Sequence, residues 1–257
     1  MSQLKITLTG TGTSQGVPMI ACKCEVCAST DSRDKRLRTA AVISKGSTTI
    51  AIDAGPDFRQ QMLQNSIDSL DAIVFTHEHK DHLAGLDDVR AYNYHQNQAM
   101  PLFASMRVQE AIKREFSYVF ENSKYPGIPH VQLHEIHPFS QFKIGEIALL
   151  PLEVKHMFMP VMGFRIEKFA YITDANFISE EVIEKLKGIE ILVLNALRKE
   201  KHPSHFTLDE AMRMAQKIAA KKTYFIHLSH QMGKHEDVSR ELPEGFFLGY
   251  DGLTLSL

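Results

Sequence analysis

The segment Thr76-His77-Glu78-His79-Lys80-Asp81-His82 constrains this chain more than any other. It follows Asp71–Phe75, an apolar run that reads as a buried strand. If the chain stays extended for two more residues, His77 and His79 project the same way, because strand side chains alternate with period two. A turn beyond them brings Asp81 and His82 to the same cavity. Three imidazoles and a carboxylate so close together suit borderline divalent metals such as zinc, manganese or iron.

Other elements alternate around this segment. Leu4–Thr9, Ala40–Ser44, Thr48–Asp53, Phe169–Thr173, Ile189–Leu194 and Thr223–His227 read as strands, and Val131–Phe164 as several short ones. Phe246–Leu255 is expected to close the sheet. Helices are expected at Asp57–Leu63, Leu83–Gln98, Gln109–Glu121 and Ser179–Leu186. Another opens at Thr207, where Thr207-Leu208-Asp209-Glu210 has the form of a capping box. There is no repeat, low-complexity tract or linker, so residues 1–257 read as one α/β domain with sheets inside and helices outside.

Two counts matter beside this pattern. The chain has 13 His and only three Cys, Cys22, Cys24 and Cys27. An odd, crowded set makes a poor disulfide framework and reads as a tetrahedral zinc site short of one ligand, the alternative being three free buried thiols. Lys and Arg number 29 against 31 Asp and Glu, a formal charge of −2. That balance argues against a nucleic-acid partner held by bulk electrostatics. No stretch approaches the roughly 18 apolar residues of a membrane span, and Met1-Ser2-Gln3-Leu4-Lys5 lacks the regions of a secretory signal. The expectation is a cytoplasmic protein with no membrane partner.

His77-x-His79-x-Asp81-His82 resembles the signature of the metallo-β-lactamase-fold hydrolases, whose fold is a four-layer αββα sandwich. The resemblance implies a site for two divalent metals, manganese or zinc. His77, His79 and His156 would bind the first metal and Asp81, His82 and His227 the second, with Asp174 bridging both. His156, Asp174 and His227 each follow an apolar strand in the expected order. Asp53, at another strand end, resembles the superfamily's buried aspartate and would orient a ligand imidazole through its free ring nitrogen.

Cys22-x-Cys24-x-x-Cys27, the loop Gly10-Thr11-Gly12 through Gly16-Val17-Pro18, and His227-x-x-His230-Gln231 together resemble the bacterial phosphoribosyl cyclic phosphodiesterases of phosphonate breakdown. There a structural zinc, held by three Cys and one His, braces the N-terminal loop at about residues 10–30. His230 would be its fourth ligand, or else a second active-site histidine. His205 stands at the place of that family's catalytic histidine, the donor of a proton to the leaving alkoxide; otherwise it serves only the helix entry. The implied activity is hydrolysis of a small phosphodiester, such as phosphoribosyl 1,2-cyclic phosphate. A hydroxide held between two cations would attack phosphorus, Asp81 would serve in the catalytic centre, and His205 would act as general acid. The resemblance also favours a homodimer.

Alternatives on the same ligand set are an oxidoreductase like protein B of pyrroloquinoline quinone biosynthesis, a tRNA 3′-end nuclease, a glyoxalase-type thioesterase, and a non-catalytic binding module. The nuclease is disfavoured by the lack of a basic arm, the thioesterase by the Cys loop, and the module by seven filled ligand positions. Lys80 and Asn195–Arg198 depart from the phosphodiesterase pattern. Arg198 could hold a substrate phosphate bidentately or be an ordinary surface arginine, and His202 could line the cleft. His95, His130, His134, His137 and His235 lack partners at ligand spacing and are expected at the surface or in local hydrogen bonds. Gly10-x-Gly12-x-x-x-Gly16 fits neither a P-loop nor a dinucleotide fingerprint.

Overall fold

A computed structural model describes residues 2–121 and 127–257. Its strands in chain order are β1 Leu4–Gly10, β2 Ala40–Lys45, β3 Thr48–Ile52, β4 Ala72–Val74, β5 Met100–Ala104, β6 Val131–Glu135 and β7 Phe142–Ile144. They continue with β8 Ile147–His156, β9 Met159–Ile166, β10 Phe169–Ile172, β11 Ile191–Asn195, β12 Lys222–Ile226, β13 Phe246–Leu248 and β14 Leu253–Ser256. Among the described residues they form two sheets, β14-β1-β2-β3-β4-β5-β6 and β13-β12-β11-β10-β9-β8-β7.

The period-two pattern of these strands makes the layers. Phe169 and Tyr171 of β10 join Ile191 and Val193 of β11 and Ile226 of β12 in the core between the sheets, against Ile6, Ile43, Ile50 and Ile52. Their alternates Ala170, Ile172, Leu192 and Leu194 face outward and are covered by Val182, Leu186, Leu208, Ala211 and Ala215, which lie on helices Glu180–Leu186 and Leu208–Ile218. Val42, Ala51, Ile73 and Leu102 are covered likewise by Phe58, Met62, Val108 and Ile112 of helices Phe58–Gln64 and Met106–Glu115. Sheets packed face to face with helices outside are the αββα sandwich the sequence led us to expect.

Several element boundaries differ from expectation. The helix expected over Leu83–Gln98 is broken into Lys80–Leu83, a 3-10 turn at Leu86–Val89, and Arg90–Gln96. The break lies at Gly85, where a Cβ would stand 1.9 Å from the Gly55 carbonyl oxygen. A passing backbone, not local propensity, sets that geometry. The Gln109–Glu121 helix begins earlier, at Met106, and is interrupted at Phe116. Phe246–Leu255 is two strands, one in each sheet. β5 and the helix His235–Glu241 were not anticipated. The capping box at Thr207 is present, with the Glu210 carboxylate accepting from the Thr207 N–H at 2.9 Å.

β3, β4, β5 and β6 run parallel, as do β10, β11, β12 and β13. Asp53, His77, Asp174 and His227 leave the C-terminal ends of β3, β4, β10 and β12, the edge at which open α/β sheets present their ligands. No described helix is long and apolar enough to cross a membrane.

Candidate metal centre

Three of these strand ends leave the sheet through a left-handed residue: Asp53 at φ 67°, Asp174 at φ 57° and His227 at φ 58°. Asp and His enter this region more readily than β-branched residues. The turn lifts each side chain off its sheet into the space between the two sheet ends. β4 stops at Val74, so His77 and His79 do not meet as alternate residues of a strand. They meet because the chain turns into the Lys80–Leu83 helix at His79, which places their ring centroids 4.7 Å apart. Gly55 permits this turn to pack, since a Cβ there would stand 1.9 Å from the Asp81 carbonyl oxygen.

The nitrogens and carboxylate oxygens of these residues cluster around Asp174. Asp81, His82, Asp174 and His227 form one group with ligand atoms within 4.8 Å of one another, and His77, His79 and Asp174 form a second. His156 groups with Asp174 and His205, its ring centroid 5.2 Å from that of His79. Asp174 Oδ1 lies 3.1 Å from His227 Nδ1 and 3.4 Å from His82 Nε2, while its Oδ2 lies 3.8 Å from His77 Nε2. One carboxylate thus faces both groups.

Hydrogen bonds outside the cluster fix which nitrogen each ring offers. Asp53 Oδ2 accepts from His82 Nδ1 at 2.7 Å and from the Thr76 hydroxyl at 2.8 Å. With its proton given to Asp53, the Thr76 hydroxyl accepts from His77 Nδ1 at 2.9 Å. Ser204 O accepts from His156 Nδ1 at 2.8 Å. Thr13 Oγ1 meets His227 Nε2 at 3.3 Å. The inward nitrogens are therefore Nε2 of His77, His82 and His156, and Nδ1 of His227.

The donor set fits metal ions. Among the described residues, Nε2 of His77, Nε2 of His82 and Nδ1 of His227 are buried without a hydrogen-bond partner. Leaving such a group unpaired costs about 1–3 kcal/mol, and three of them converge on one carboxylate. Burial holds the His77 and His227 rings below the ordinary histidine range. Burial works against ionisation of Asp174, yet His227 and His82 outweigh it and keep the carboxyl well below its ordinary range.

His205 stands at the rim of this cluster, buried, with its ring 4.5 Å from that of His156 and 4.8 Å from that of His227. Burial pushes its pKa down to about 3. His202 is 5.2 Å from it between ring centroids and accepts from Ser204 Oγ at 3.2 Å. The Arg198 guanidinium donates to Gln231 Oε1 at 2.7 Å and to the Lys201 carbonyl at 3.1 Å. Lys80 pairs with Glu115 on the Met106–Glu115 helix.

A second cluster lies at the N-terminal loop. Cys22, Cys24, Cys27 and His230 bring their ligand atoms within 4.8 Å of one another, with His230 Nδ1 3.4 Å from Cys22 Sγ and 3.3 Å from Cys24 Sγ. The Cys27 N–H donates to Cys24 Sγ at 3.4 Å and, with His230, holds that thiol down at about 6. Burial pushes Cys27 up to about 11. The loop is joined to the second sheet by Leu228 N–H to Thr11 O, 2.9 Å, and Thr13 N–H to Leu228 O, 3.0 Å.

Of the histidines set aside, His95, His130 and His137 are exposed and His134 stacks on Phe103. His235 is buried, not at the surface: it accepts from Arg36 at 3.1 Å. Supporting residues that carry no sequence signature are Thr76, Thr13, Ser204 and Asn195, the last bracketing Ala175 with bonds of 2.7 and 2.9 Å behind Asp174.

Comparison with known proteins agrees with this geometry. Residues 48–228 match the model of the beta-lactamase superfamily domain. The crystal structure of a new diphosphatase from the PhnP family superposes with a TM-score of 0.93 at 38% identity, covering 100% of this chain and 98% of that one. Zinc-bound PqqB from Methylobacterium extorquens shares the fold, with a TM-score of 0.82 at 19% identity over 98% of this chain and 100% of that one. An octanoyltransferase of Porphyromonas gingivalis is 40% identical over 252 residues, 97% of this chain; the chain spans 51% of that protein's length. With the sandwich, the histidine-carboxylate cluster and a 38%-identical relative covered over its length in agreement, the chain belongs to the metallo-β-lactamase superfamily and, within it, to the PhnP family.

Proposed function

We propose that this protein is a dinuclear metal-dependent phosphodiesterase acting on a small phosphodiester, with a 1,2-cyclic ribose phosphate as the leading substrate class. The observation that carries the reading is the convergence of unpartnered imidazole nitrogens from His77, His82 and His227 on the single carboxylate of Asp174. His77, His79, His156 and Asp174 would hold one divalent ion, zinc or manganese, and Asp81, His82, His227 and Asp174 the other. When bound, such a pair would lower the pKa of water and would take up charge developing on a phosphoryl group.

The chain's own residues do the remaining work. Asp53, Thr76, Ser204 and Thr13 hold the ligand rings in one orientation. His205, whose ring lies against those of His156 and His227, would give a proton to the departing ester oxygen, whose expulsion as alkoxide is costly. An anionic substrate beside the ring favours its protonated form, opposing the effect of burial. The cysteine cluster with His230 would hold a structural zinc that braces the loop bearing Thr13. We further propose a cytoplasmic homodimer with no nucleic-acid or membrane partner.

Hydrolysis of bis(p-nitrophenyl) phosphate with and without added manganese tests the reading. Metal-dependent turnover abolished in His77→Ala is expected, while His205→Ala should cost little on this activated leaving group and about 10²–10⁴-fold on a diester with an alkyl leaving group. Two bound metals without diesterase turnover would redirect the search to diphosphates, the substrate class named by the 38%-identical relative.

A further inference from the structure

After β11 the chain makes an excursion that carries His202, Ser204 and His205 to the histidine-carboxylate cluster. Backbone bonds close its base: Leu197 N–H donates to Phe206 O at 2.9 Å and Leu208 N–H to Arg198 O at 3.0 Å. One flank is held by the Asn176 amide, which donates to Pro203 O at 2.9 Å. The other flank is spanned by one side chain. Arg198 donates from Nε to Glu200 O at 3.3 Å, from Nη2 to Lys201 O at 3.1 Å and from Nη1 to Gln231 Oε1 at 2.7 Å.

Gln231 is itself anchored. Its N–H donates to Ser229 Oγ at 3.2 Å, and the Ser229 N–H donates to Leu197 O at 2.9 Å. It directly follows His230, so the segment that supplies His227 and His230 also holds the guanidinium. A planar fork of five donors can satisfy three acceptors in fixed directions at once, which a lysine ammonium on a flexible stem does less well.

We infer that Arg198, seated on Gln231, is a positioning residue for hydrolysis: it sets the 199–205 loop and thereby the Ser204 carbonyl that fixes His156 and the ring of His205. This rests on the reading of His205 as proton donor. Arg198 is only partly buried and Gln231 is exposed, so their bond adds little to global stability. A displacement of about 1 Å at the reacting groups can nevertheless cost about 10²-fold in rate. Activity and stability therefore separate in the variants.

The test uses the full chain loaded with metal, comparing wild type, Arg198→Met, Arg198→Lys, Gln231→Leu and His205→Ala on methyl aryl phosphates of graded leaving-group pKa. Arg198→Met and Gln231→Leu are expected to lower kcat about tenfold to a hundredfold. With metal kept saturating, KM and Tm stay near wild type, and the dependence of rate on leaving-group pKa steepens. Arg198→Lys should recover part of the loss. Wild-type kcat and wild-type leaving-group dependence in both variants, with His205→Ala impaired, would overturn the positioning role and leave the phosphodiesterase reading standing. An unimpaired His205→Ala would overturn the proton-donor role of His205 and the positioning role that rests on it, with the phosphodiesterase reading left standing.

Discussion

Asp53 and His82 lie 29 positions apart in sequence and 2.7 Å apart in space, both fully buried, with the carboxylate accepting from Nδ1 and leaving Nε2 to face Asp174. The same carboxylate accepts from the N–H and the hydroxyl of Thr76, and so also fixes His77. Asp53→Asn keeps the shape but replaces an acceptor oxygen with a donor amide. It should weaken metal affinity or activity about tenfold to a hundredfold, read by competition with a coloured chelator. Wild-type affinity in the variant would show that the pair does not orient a ligand.

The thiolate cluster makes a separate prediction. Cys24→Ala or His230→Ala should remove about one equivalent of zinc by elemental analysis and leave the remaining metal in place. The unanchored loop should lower stability by about 2–3 kcal/mol, a fall in Tm of roughly 4–12 °C for a chain of this size. Unchanged zinc content would mean that the three sulfurs and His230 hold no metal.

Gly55 and Gly85 should not tolerate even a methyl group. Each Cβ would meet a backbone oxygen at 1.9 Å, of Asp81 and of Gly55 respectively. Gly55→Ala is expected to cost about 1–3 kcal/mol by overpacking. It should also reduce metal content, because the oxygen displaced belongs to Asp81. Denaturant unfolding and metal analysis check both effects.

His235 gives a pH dependence. Burial and the Arg36 guanidinium beside it push its pKa down to about 4. The folded state therefore keeps the ring neutral while the unfolded chain protonates near 6.5. Its contribution is present above 6.5 and is lost as pH falls toward 4. The size is about 2 kcal/mol, allowing for solvent at the pocket the ring lines. Asp251, pushed up to about 6 by burial, acts in the opposite sense, stabilising as pH falls from 6 toward 3.8. In His235→Gln, which keeps an acceptor for Arg36, the stability difference from wild type should favour wild type at pH 7.5 and shrink or reverse by pH 5. A difference independent of pH would contradict the assignment.

Much of the site was legible because its chemistry is carried by side-chain type at short spacing. His77, His79, Asp81 and His82 lie in one segment, and Asp174 and His227 each end an apolar run. What the sequence concealed is carried by tertiary contact. Thr76, Thr13 and Ser204 are ordinary polar residues until the fold sets them against His77, His227 and His156. The helix expected across Gly85 failed for the same reason, since the contact that breaks it comes from Gly55. For Arg198 the sequence leaves a phosphate contact and a surface position equally open; its acceptors, Gln231 and two loop carbonyls, appear only in the folded chain.

The most direct test of the central claim is turnover of a ribose 1,2-cyclic phosphate by the manganese-loaded protein, followed by phosphorus NMR. The account predicts conversion to a ribose phosphate monoester, lost on chelation and in His77→Ala. An intact cyclic phosphate after prolonged incubation, with both catalytic metals shown to be bound, would contradict it.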